Sequence, residues 1–413
     1  MQALISMTAA LLVLVILLHK KVKIGKAMMA AAILLAAILG VGPVTLWKYL
    51  VSEWQEKTFT ETTVYFFISL TALLLFVNVI GAIMVETGIS KRLTPAIHGL
   101  FRSRRASLAA IPLMMGMLPT PGGIMLSAPM VKDMGESMKV SASRIAAINF
   151  YFRHQFEPIW PLFPALPLAQ AILAVPVIKI ICYNSSLIIT GMLSGIFFLL
   201  FFGIPRSKIK TEHKHVLHNL KDFMHGFWPI GLSIILYAGW NIPPAIGVLI
   251  GIIGLLILHK LPFERWLSVF STANEPDLVL LILAALAFKL CLNISGAVPE
   301  MVGLMSKAQI PPFIILFALP FFVAFLTGIT SATVAITFPF LTAYIGTSNQ
   351  ANIALATLAF SGVFCGLMVT PVHLCLALSA GYFKVSIIDI VAKLIWPVVA
   401  VAAAGFATAF LLG

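Results

Sequence analysis

The sequence predicts an all-α membrane protein made of two inverted repeats, each with a re-entrant hairpin and a broken helix. Three observations lead to this fold class. The 413 residues are 61% hydrophobic and only 10% charged, with a mean hydropathy of +1.05, which is outside the range of soluble domains. Apolar runs approach the ~20 residues that a membrane helix needs. The interruptions of these runs recur in both halves of the chain at a nearly constant offset.

The first repeat covers residues 1–204 and begins with three apolar spans, at Ala3–Leu18, Ala27–Val44 and Val64–Val85. Four lysines follow the first span instead of preceding it, which is the reverse of a cleaved signal peptide. We therefore expect a first spanning helix with its N-terminus outside. The repeat ends on an uninterrupted span at Ile181–Ile204.

A re-entrant hairpin is predicted at 109–132, because this apolar run contains Leu-Pro-Thr-Pro-Gly-Gly at 118–123. The two prolines lack backbone donors, and the glycines allow the chain to reverse. A spanning helix broken there would expose unpaired backbone groups to lipid, whereas a hairpin tip inside the protein would not. The alternative is a kinked helix that crosses the membrane.

A broken helix is predicted at 145–175, because three prolines interrupt the apolar run between Glu157 and Pro164. The residues before this break form the most polar stretch of any predicted span. Arg153 and Glu157 are four positions apart, so they share a helix face and could pair. Two roles for Arg153 stay open: it binds an anionic substrate, or it forms a structural ion pair with Glu157.

The second repeat, at 223–413, follows a basic linker at 205–222 that is expected in the cytoplasm. It has the same plan as the first repeat. Its elements are spans at Phe223–Trp240, Pro244–His259 and Leu278–Leu292, a hairpin at 311–345 interrupted at 326–333, a helix at 353–382 broken at Thr370-Pro371, and a last span at Val391–Leu412.

Three unrelated interruptions match between the halves, at offsets of 208, 210 and 213 residues. A chance match is easy for one pair and hard for three. A hairpin does not cross the membrane, so each repeat crosses five times, and this odd number inverts the second repeat relative to the first. The matched features are Gly88 with Gly296, Ser127–Pro129 with Thr337–Pro339, and Pro158 with Pro371.

The basic residues support this topology. Twenty of the 27 Lys and Arg residues fall in the loops predicted inside, and four fall in those predicted outside, which is the expected positive-inside bias. The net charge of +13 therefore reports topology, and we expect membrane lipid as a partner and no nucleic acid. A through-going helix at 109–132 would place the basic linker outside.

The functional site is expected where the hairpin tips and the helix breaks meet. Discontinuous helices leave N–H groups that suit anions and carbonyl groups that suit Na⁺. Helix packing also enriches Ser, Thr and Gly, so packing is the alternative for any single residue. The predicted substrate-binding residues are Thr120, Pro121, Gly122, Gly123, Arg153, His154, Thr330, Ser331, Ala332, Thr333 and His373. The predicted ion-coupling residues are Glu157, Thr120, Thr327, Thr330 and Thr370.

Other titratable residues give weaker indications. Lys289 lies within a span and could neutralise Glu157, face an anion or extend to the interface. The four cysteines have no CxxC spacing, so we expect no disulfide and no metal site. The sequence lacks HExxH, GxSxG and paired-Asp motifs, so we expect no catalytic residue. No cofactor is expected either, with Na⁺ as a candidate coupling ion.

Three stretches of the chain carry a family resemblance: Leu118–Gly123 with Ser127–Pro129, Arg153–Glu157 with Trp160-Pro161, and Thr370–Leu376. They resemble an uncharacterised prokaryotic family of integral-membrane proteins, a domain of unknown function, over nearly the whole chain. The wider architecture is similar to the ion transporter superfamily, which includes divalent-anion/sodium symporters, gluconate permeases and large subunits of tripartite transporters.

This superfamily resemblance implies inverted repeats, two opposed hairpins, a scaffold that dimerises and an elevator motion. Its sodium symporters have Ser-Asn-Thr at the hairpin tips. The present chain has Pro-Thr-Pro-Gly-Gly and Thr-Ser-Ala-Thr there.

The function expected from these observations is secondary active transport of a small organic anion, such as a carboxylate, driven by Na⁺ or H⁺ through an elevator mechanism. The expected location is the prokaryotic cytoplasmic membrane, with both termini outside, and the expected assembly is a homodimer. The alternatives are the membrane subunit of a tripartite, binding-protein-dependent uptake system, a channel and an intramembrane enzyme.

Overall fold

The structure, a computed structural model, describes most of the chain. The described residues are 2–101, 103–117, 124–202, 204, 216–240, 242–262, 265–266, 269–271, 275–297, 300, 303 and 311–413. Within these ranges the regular elements are helices, with no strand, so the predicted all-α class is confirmed at that level. The predicted tip residues Thr120, Pro121, Gly122 and Gly123, and linker positions 205–215, lie outside the described ranges.

The first half of the chain forms ten helices within the described residues. They are α1 (Gln2–His19), α2 (Ile24–Ile38), α3 (Pro43–Glu56), α4 (Thr63–Glu86), α5 (Ile89–Leu100), α6 (Arg104–Gly116), α7 (Ile124–Ser137), α8 (Ala142–Arg153), α9 (Ala165–Leu173) and α10 (Val177–Gly195). A π-helical turn at Ile196–Phe201 extends α10.

The second half follows with eight helices in the part of the chain that is described. They are α11 (Val216–Trp240), α12 (Pro244–Leu258), α13 (Pro276–Ser295), α14 (Pro312–Thr327), α15 (Thr330–Ile345), α16 (Ile353–Val369), α17 (Leu374–Phe383) and α18 (Ile387–Leu412). The first of these begins inside the predicted linker, because residues 216–222 are helical.

Several of these helices are long and apolar enough to cross a membrane, as a multi-pass membrane protein requires. Within the described residues they are α4, α10 with its π-helical turn, α13, α16 continued by α17, and α18. The last helix also exposes large apolar side chains, among them Trp396 and Phe410. Such a surface is costly in water and favourable in lipid.

Two helices, α3 and α5, occupy segments that are predicted as loops. The chain bends by 99° between α2 and α3, where Gly40 has a φ of +71° and Pro43 opens α3 as its first residue, a position that suits proline. The predicted span Ala27–Val44 therefore ends early, at Ile38. Helix α5 lies between the predicted span Val64–Val85 and the predicted hairpin at 109–132. Both helices are shorter and more polar than a spanning run, so apolar length does not reveal them.

Both predicted hairpins correspond to pairs of short helices that pack on each other, α6 on α7 and α14 on α15. In the second pair only two residues separate the helices, and Gly328 takes a left-handed φ of +65° as the C-cap of α14, a conformation that favours glycine. Helix α15 begins at Thr330, so Thr330 to Thr333 form its first turn. The predicted interruption at 326–333 is thus narrower in the structure.

Both predicted broken helices are interrupted in the structure. The first break separates α8 from α9, and residues 154–164 between them contain three prolines and only short turns. The second break, at 370–373, separates α16 from α17 and contains Pro371. Proline cannot donate the backbone hydrogen bond of a helix interior, which explains both positions.

The two halves exchange contacts at these irregular elements. Helix α15 of the second hairpin packs on α9, the segment after the first break. Reciprocally, α7 of the first hairpin packs on α17, the segment after the second break, and α8 also packs on α17. A second group of helices contains three packed pairs, α2 on α13, α4 on α12, and α5 on α11.

Candidate functional site

Two histidines meet where the two helix breaks approach each other. His154 is the C-cap of α8, and His373 is the N-cap of α17. Their Nε2 atoms are 3.0 Å apart, although the residues are separated by 219 positions in the sequence. Both residues belong to the predicted substrate-binding set, and the structure brings them into direct contact.

Each imidazole is oriented by a backbone carbonyl. The Nδ1 atom of His154 is 2.7 Å from the carbonyl oxygen of Phe150, and that of His373 is 2.6 Å from the carbonyl oxygen of Gly328. A carbonyl only accepts hydrogen bonds, so each Nδ1 carries a hydrogen and donates it. In neutral rings both Nε2 atoms are then unprotonated.

Gly328 also brings the second hairpin against the second break. A Cβ atom at Gly328 would lie 3.0 Å from the backbone nitrogen and Cα of His373. The close approach and the left-handed backbone both require glycine at this position. The tip of the second hairpin is therefore in contact with the second break.

Glu157 connects the first break to the second hairpin. Its Oε2 atom accepts a hydrogen bond from the hydroxyl of Thr330, the first residue of α15, and its Oε1 atom is 3.8 Å from His154 Nε2. The N-terminus of α15 carries a partial positive charge that favours a carboxylate. Two predicted ion-coupling residues, Glu157 and Thr330, are thus in contact.

Arg153 is buried at the end of α8. Its Nη1 atom donates a 2.9 Å hydrogen bond to the carbonyl oxygen of Met115, in the last turn of α6, and it interacts with the thiol of Cys375. Gly116 packs directly on the carbonyl oxygen of Arg153, leaving no room for a Cβ atom. The first hairpin is therefore attached to the first break through Arg153. Whether Arg153 also serves as the partner of Glu157 stays a prediction.

The other predicted hydroxyls lie in the second hairpin or contact it. Thr327 and Thr333 are 3.2 Å apart across the tip, and Thr333 also donates to the carbonyl oxygen of Ile329. Thr370 donates to the carbonyl oxygen of Phe325, near the end of α14. Ala332 is buried and Ser331 is partly buried in the first turn of α15.

Lys289 contacts the segment after the first break. Its Nζ atom is 2.5 Å from the carbonyl oxygen of Ala171, in the last turn of α9. A lysine there satisfies a terminal carbonyl and complements the negative end of the helix dipole. Lys289 therefore connects α13, in the second group of helices, to the segment after the first break.

Two residues that are absent from the predicted set support the site. Asn184 on α10 is fully buried; it donates to the carbonyl oxygen of Pro158 at 2.8 Å and accepts from the hydroxyl of Thr357 at 2.9 Å. Trp160 donates to the carbonyl oxygen of Met117 at 3.2 Å. The available sequence signal was Asn184 itself, a single asparagine within an apolar span, because a buried amide needs hydrogen-bond partners.

A group of potential metal ligands lies at the same place. The ligand atoms of His154, His373 and Cys375 are all within 4.8 Å of one another. Cys375 is in the first turn of α17, two positions after His373. The sequence predicts no metal site because its cysteines lack CxxC spacing. Such spacing cannot reveal that His154 lies close to His373 and Cys375.

The polar junction consists of Arg153, His154, Glu157, Thr330 and His373. Together with the long apolar helices it is that of an α-helical membrane protein. Comparison with known protein families matches the chain, over residues 2–412, to the family described as "Protein of unknown function (DUF401)". The chain belongs to this family. A search of curated proteins gives no match.

Proposed function

We propose that the protein is a secondary active transporter of a small organic anion, driven by Na⁺ or H⁺. One observation carries this proposal: charged and titratable side chains are buried together where both helix breaks meet a hairpin tip. Arg153, His154 and Glu157 are only 7%, 3% and 8% exposed. Burying such groups among apolar helices is expensive and marks a functional site by default.

Backbone geometry supports the idea of two repeats. Residues with a left-handed φ recur in both halves of the chain at offsets of 208, 209 and 210 residues. They occur after α4 and α13, after α7 and α15, and after α9 and α17. The pairs are Gly88 with Gly296, Lys139 with Ser348, and Ala174 with Lys384.

The exchanged packing of α15 on α9 and of α7 on α17 also supports two repeats related by an approximate twofold axis. Transporters built from inverted repeats bind substrate where their discontinuous helices meet. In this proposal the hairpins and broken helices form the moving domain of an elevator. The second group of helices forms the scaffold of a homodimer in the cytoplasmic membrane, with both termini outside.

The chemistry of the junction suits an anion. The guanidinium of Arg153 is planar, carries five N–H donors and matches the geometry of a carboxylate. The N-terminus of α15 adds partial positive charge close by. Glu157 and the neighbouring hydroxyls are the candidate ligands for the coupling ion.

The test is transport by purified protein in liposomes. A panel of organic acids is first screened by the thermal stability of the detergent-solubilised protein, with and without Na⁺. Stabilising acids are then assayed for uptake under an imposed Na⁺ or pH gradient. Gradient-dependent uptake of one acid is the expected result. Stable, correctly inserted protein that transports none of the acids under either gradient would contradict the proposal.

A further inference from the structure

We propose that His154, His373 and Cys375 bind a single divalent transition-metal ion of the Zn²⁺ class. The three residues offer two imidazole nitrogens and one sulfur within 4.8 Å of one another. Imidazole and thiolate are the ligands that such ions prefer. This inference goes beyond transport of an organic anion, because the ligand set would bind the metal whichever substrate is carried.

The orientation of the two imidazoles is the main evidence for a metal ion at this place. Both Nδ1–H groups are used by the carbonyl oxygens of Phe150 and Gly328, so both Nε2 atoms present lone pairs. These lone pairs face each other across only 3.0 Å. Two facing acceptors repel unless a cation lies between them or beside them. A metal ion bound to both nitrogens removes this conflict.

The contacts of the two Nδ1–H groups with carbonyl oxygens also match the usual surroundings of metal-binding histidines. A histidine that binds a metal through one nitrogen usually donates its other N–H to a carbonyl or carboxylate, which fixes the tautomer and the direction of the ring. Both His154 and His373 satisfy this condition before any metal binds. The ring of Phe150 packs beside both imidazoles, with centroid distances of 4.7 Å and 5.5 Å, and further restricts their rotation.

The distances require only small movements. Two nitrogens bound to tetrahedral zinc at about 2.0–2.1 Å are about 3.3 Å apart, so the histidines would separate by a few tenths of an ångström. The thiol of Cys375 would move inward. This thiol lies in the first turn of α17, where the helix dipole favours the thiolate.

The surrounding charges limit the cost of binding. A divalent ion that displaces the thiol proton of Cys375 adds one net positive charge, since the sulfur becomes a thiolate. Arg153 adds a further positive charge beside Cys375. The carboxylate of Glu157, 3.8 Å from His154 Nε2, offsets one of these two positive charges and is the available fourth ligand.

The test uses full-length protein in detergent, freed of any affinity tag and treated with a chelator. Titration with Co²⁺ as a spectroscopic probe should give one tightly bound ion per chain, with a thiolate-to-cobalt charge-transfer band, and Zn²⁺ should displace it. Cys375→Ser should abolish the band. Cys182→Ser is the matched control, because Cys182 is exposed on α10, and it should leave the band unchanged.

A third variant separates the role of the ligands from that of the fold. His373→Asn should weaken Co²⁺ binding by more than the roughly 10–100-fold that outer-shell changes cost, while the elution volume on size exclusion stays the same. Absence of stoichiometric Co²⁺ binding by the unmodified protein would overturn the proposal, as would a charge-transfer band that persists in Cys375→Ser. If the unmodified protein binds no Co²⁺, a shared proton would be the cation between the imidazoles. Neither result depends on whether transport of an organic anion is found.

Discussion

The hydroxyl of Thr330 donates a hydrogen bond to the carboxylate of Glu157, although the two residues are 173 positions apart. This bond joins the first turn of one helix in the second hairpin to the first helix break. A movement of the hairpin that opens the junction must therefore break it. The position of the hairpin therefore determines whether the buried carboxylate keeps this hydrogen bond.

Removing this hydroxyl should impair transport. Thr330→Val keeps the side-chain shape and leaves Glu157 without its donor, which costs about 1–3 kcal/mol. We expect coupled uptake to fall at least about fivefold, since about 1.4 kcal/mol corresponds to a factor of ten. Thr342→Val is the control, because the hydroxyl of Thr342 on the same helix contacts only the nearby carbonyl of Pro339 among the hydrogen bonds seen. Equal uptake by both variants would contradict a role for this bond.

Substitution of Gly328 by alanine should destabilise the protein strongly. The left-handed backbone costs roughly 1–2 kcal/mol for a residue with a Cβ, and contact with the backbone of His373 adds an overpacking cost of about 1–3 kcal/mol. Gly40→Ala is the control. It has a φ of +71°, and no described heavy atom lies within 4 Å of its added Cβ. The apparent melting temperature in detergent should fall further for Gly328→Ala, and an equal fall would show that packing adds nothing.

The roles of Arg153 and Glu157 can be separated by a double substitution. Removing one partner of a buried ion pair costs about 3–5 kcal/mol, so either Arg153→Gln or Glu157→Gln alone should lower stability if the two residues pair. Combining both changes should then restore it. Stable double-variant protein that does not transport would support substrate binding or coupling. Near-native transport by the double variant would leave the pair with a structural role only.

Asn184 and Thr357 should be energetically coupled. Asn184→Leu leaves the carbonyl oxygen of Pro158 and the hydroxyl of Thr357 without their partner, at about 1–3 kcal/mol for each buried group. Thr357→Val should cost less, because it removes one hydrogen bond. In the double variant the loss should be smaller than the sum of the single losses, by about 0.5–3 kcal/mol. Additive losses, measured by chemical unfolding in detergent, would mean that the contact is absent in solution.

The topology predicted from charge can be tested by labelling. Ser207→Cys in the basic linker, placed in a background with Cys182→Ser, should react with a membrane-impermeant maleimide only after the cells are opened. The physical reason is that Lys and Arg are retained on the cytoplasmic side. Labelling of intact cells would invert the orientation and remove the argument for two hairpins.

The apolar spans and their interruptions could be predicted because each is a local property of the sequence. The predicted span Val64–Val85 corresponds to α4, and the second hairpin turns at a glycine within the predicted interruption. In contrast, α3 and α5 were missed, because a short, partly polar helix has neither the apolar length of a span nor strong turn signals. Their presence depends on packing against other helices.

The sequence indicates a candidate site as a set of residues but not as a geometry. Arg153, His154 and Glu157 stand out as polar residues in an apolar run. Nothing local indicates that His154 faces His373 and Cys375. These contacts arise only when the two halves pack together. Lys289 illustrates the same limit, since its contact with Ala171 depends on the position of α9 relative to α13.

The exchanged packing of α15 on α9 and of α7 on α17 has a consequence for biogenesis. The first half of the chain emerges from the ribosome with its helix break complete, but the helix that covers it is synthesised more than 150 residues later. During that interval the newly inserted segment carries a carboxylate and an imidazole without their distant partners. Until then, either the insertion machinery covers this segment or the break stays in contact with water at the membrane surface. The last helices to be made therefore complete the burial of the first break, and a chain truncated before α15 would be a natural target for membrane quality-control proteases.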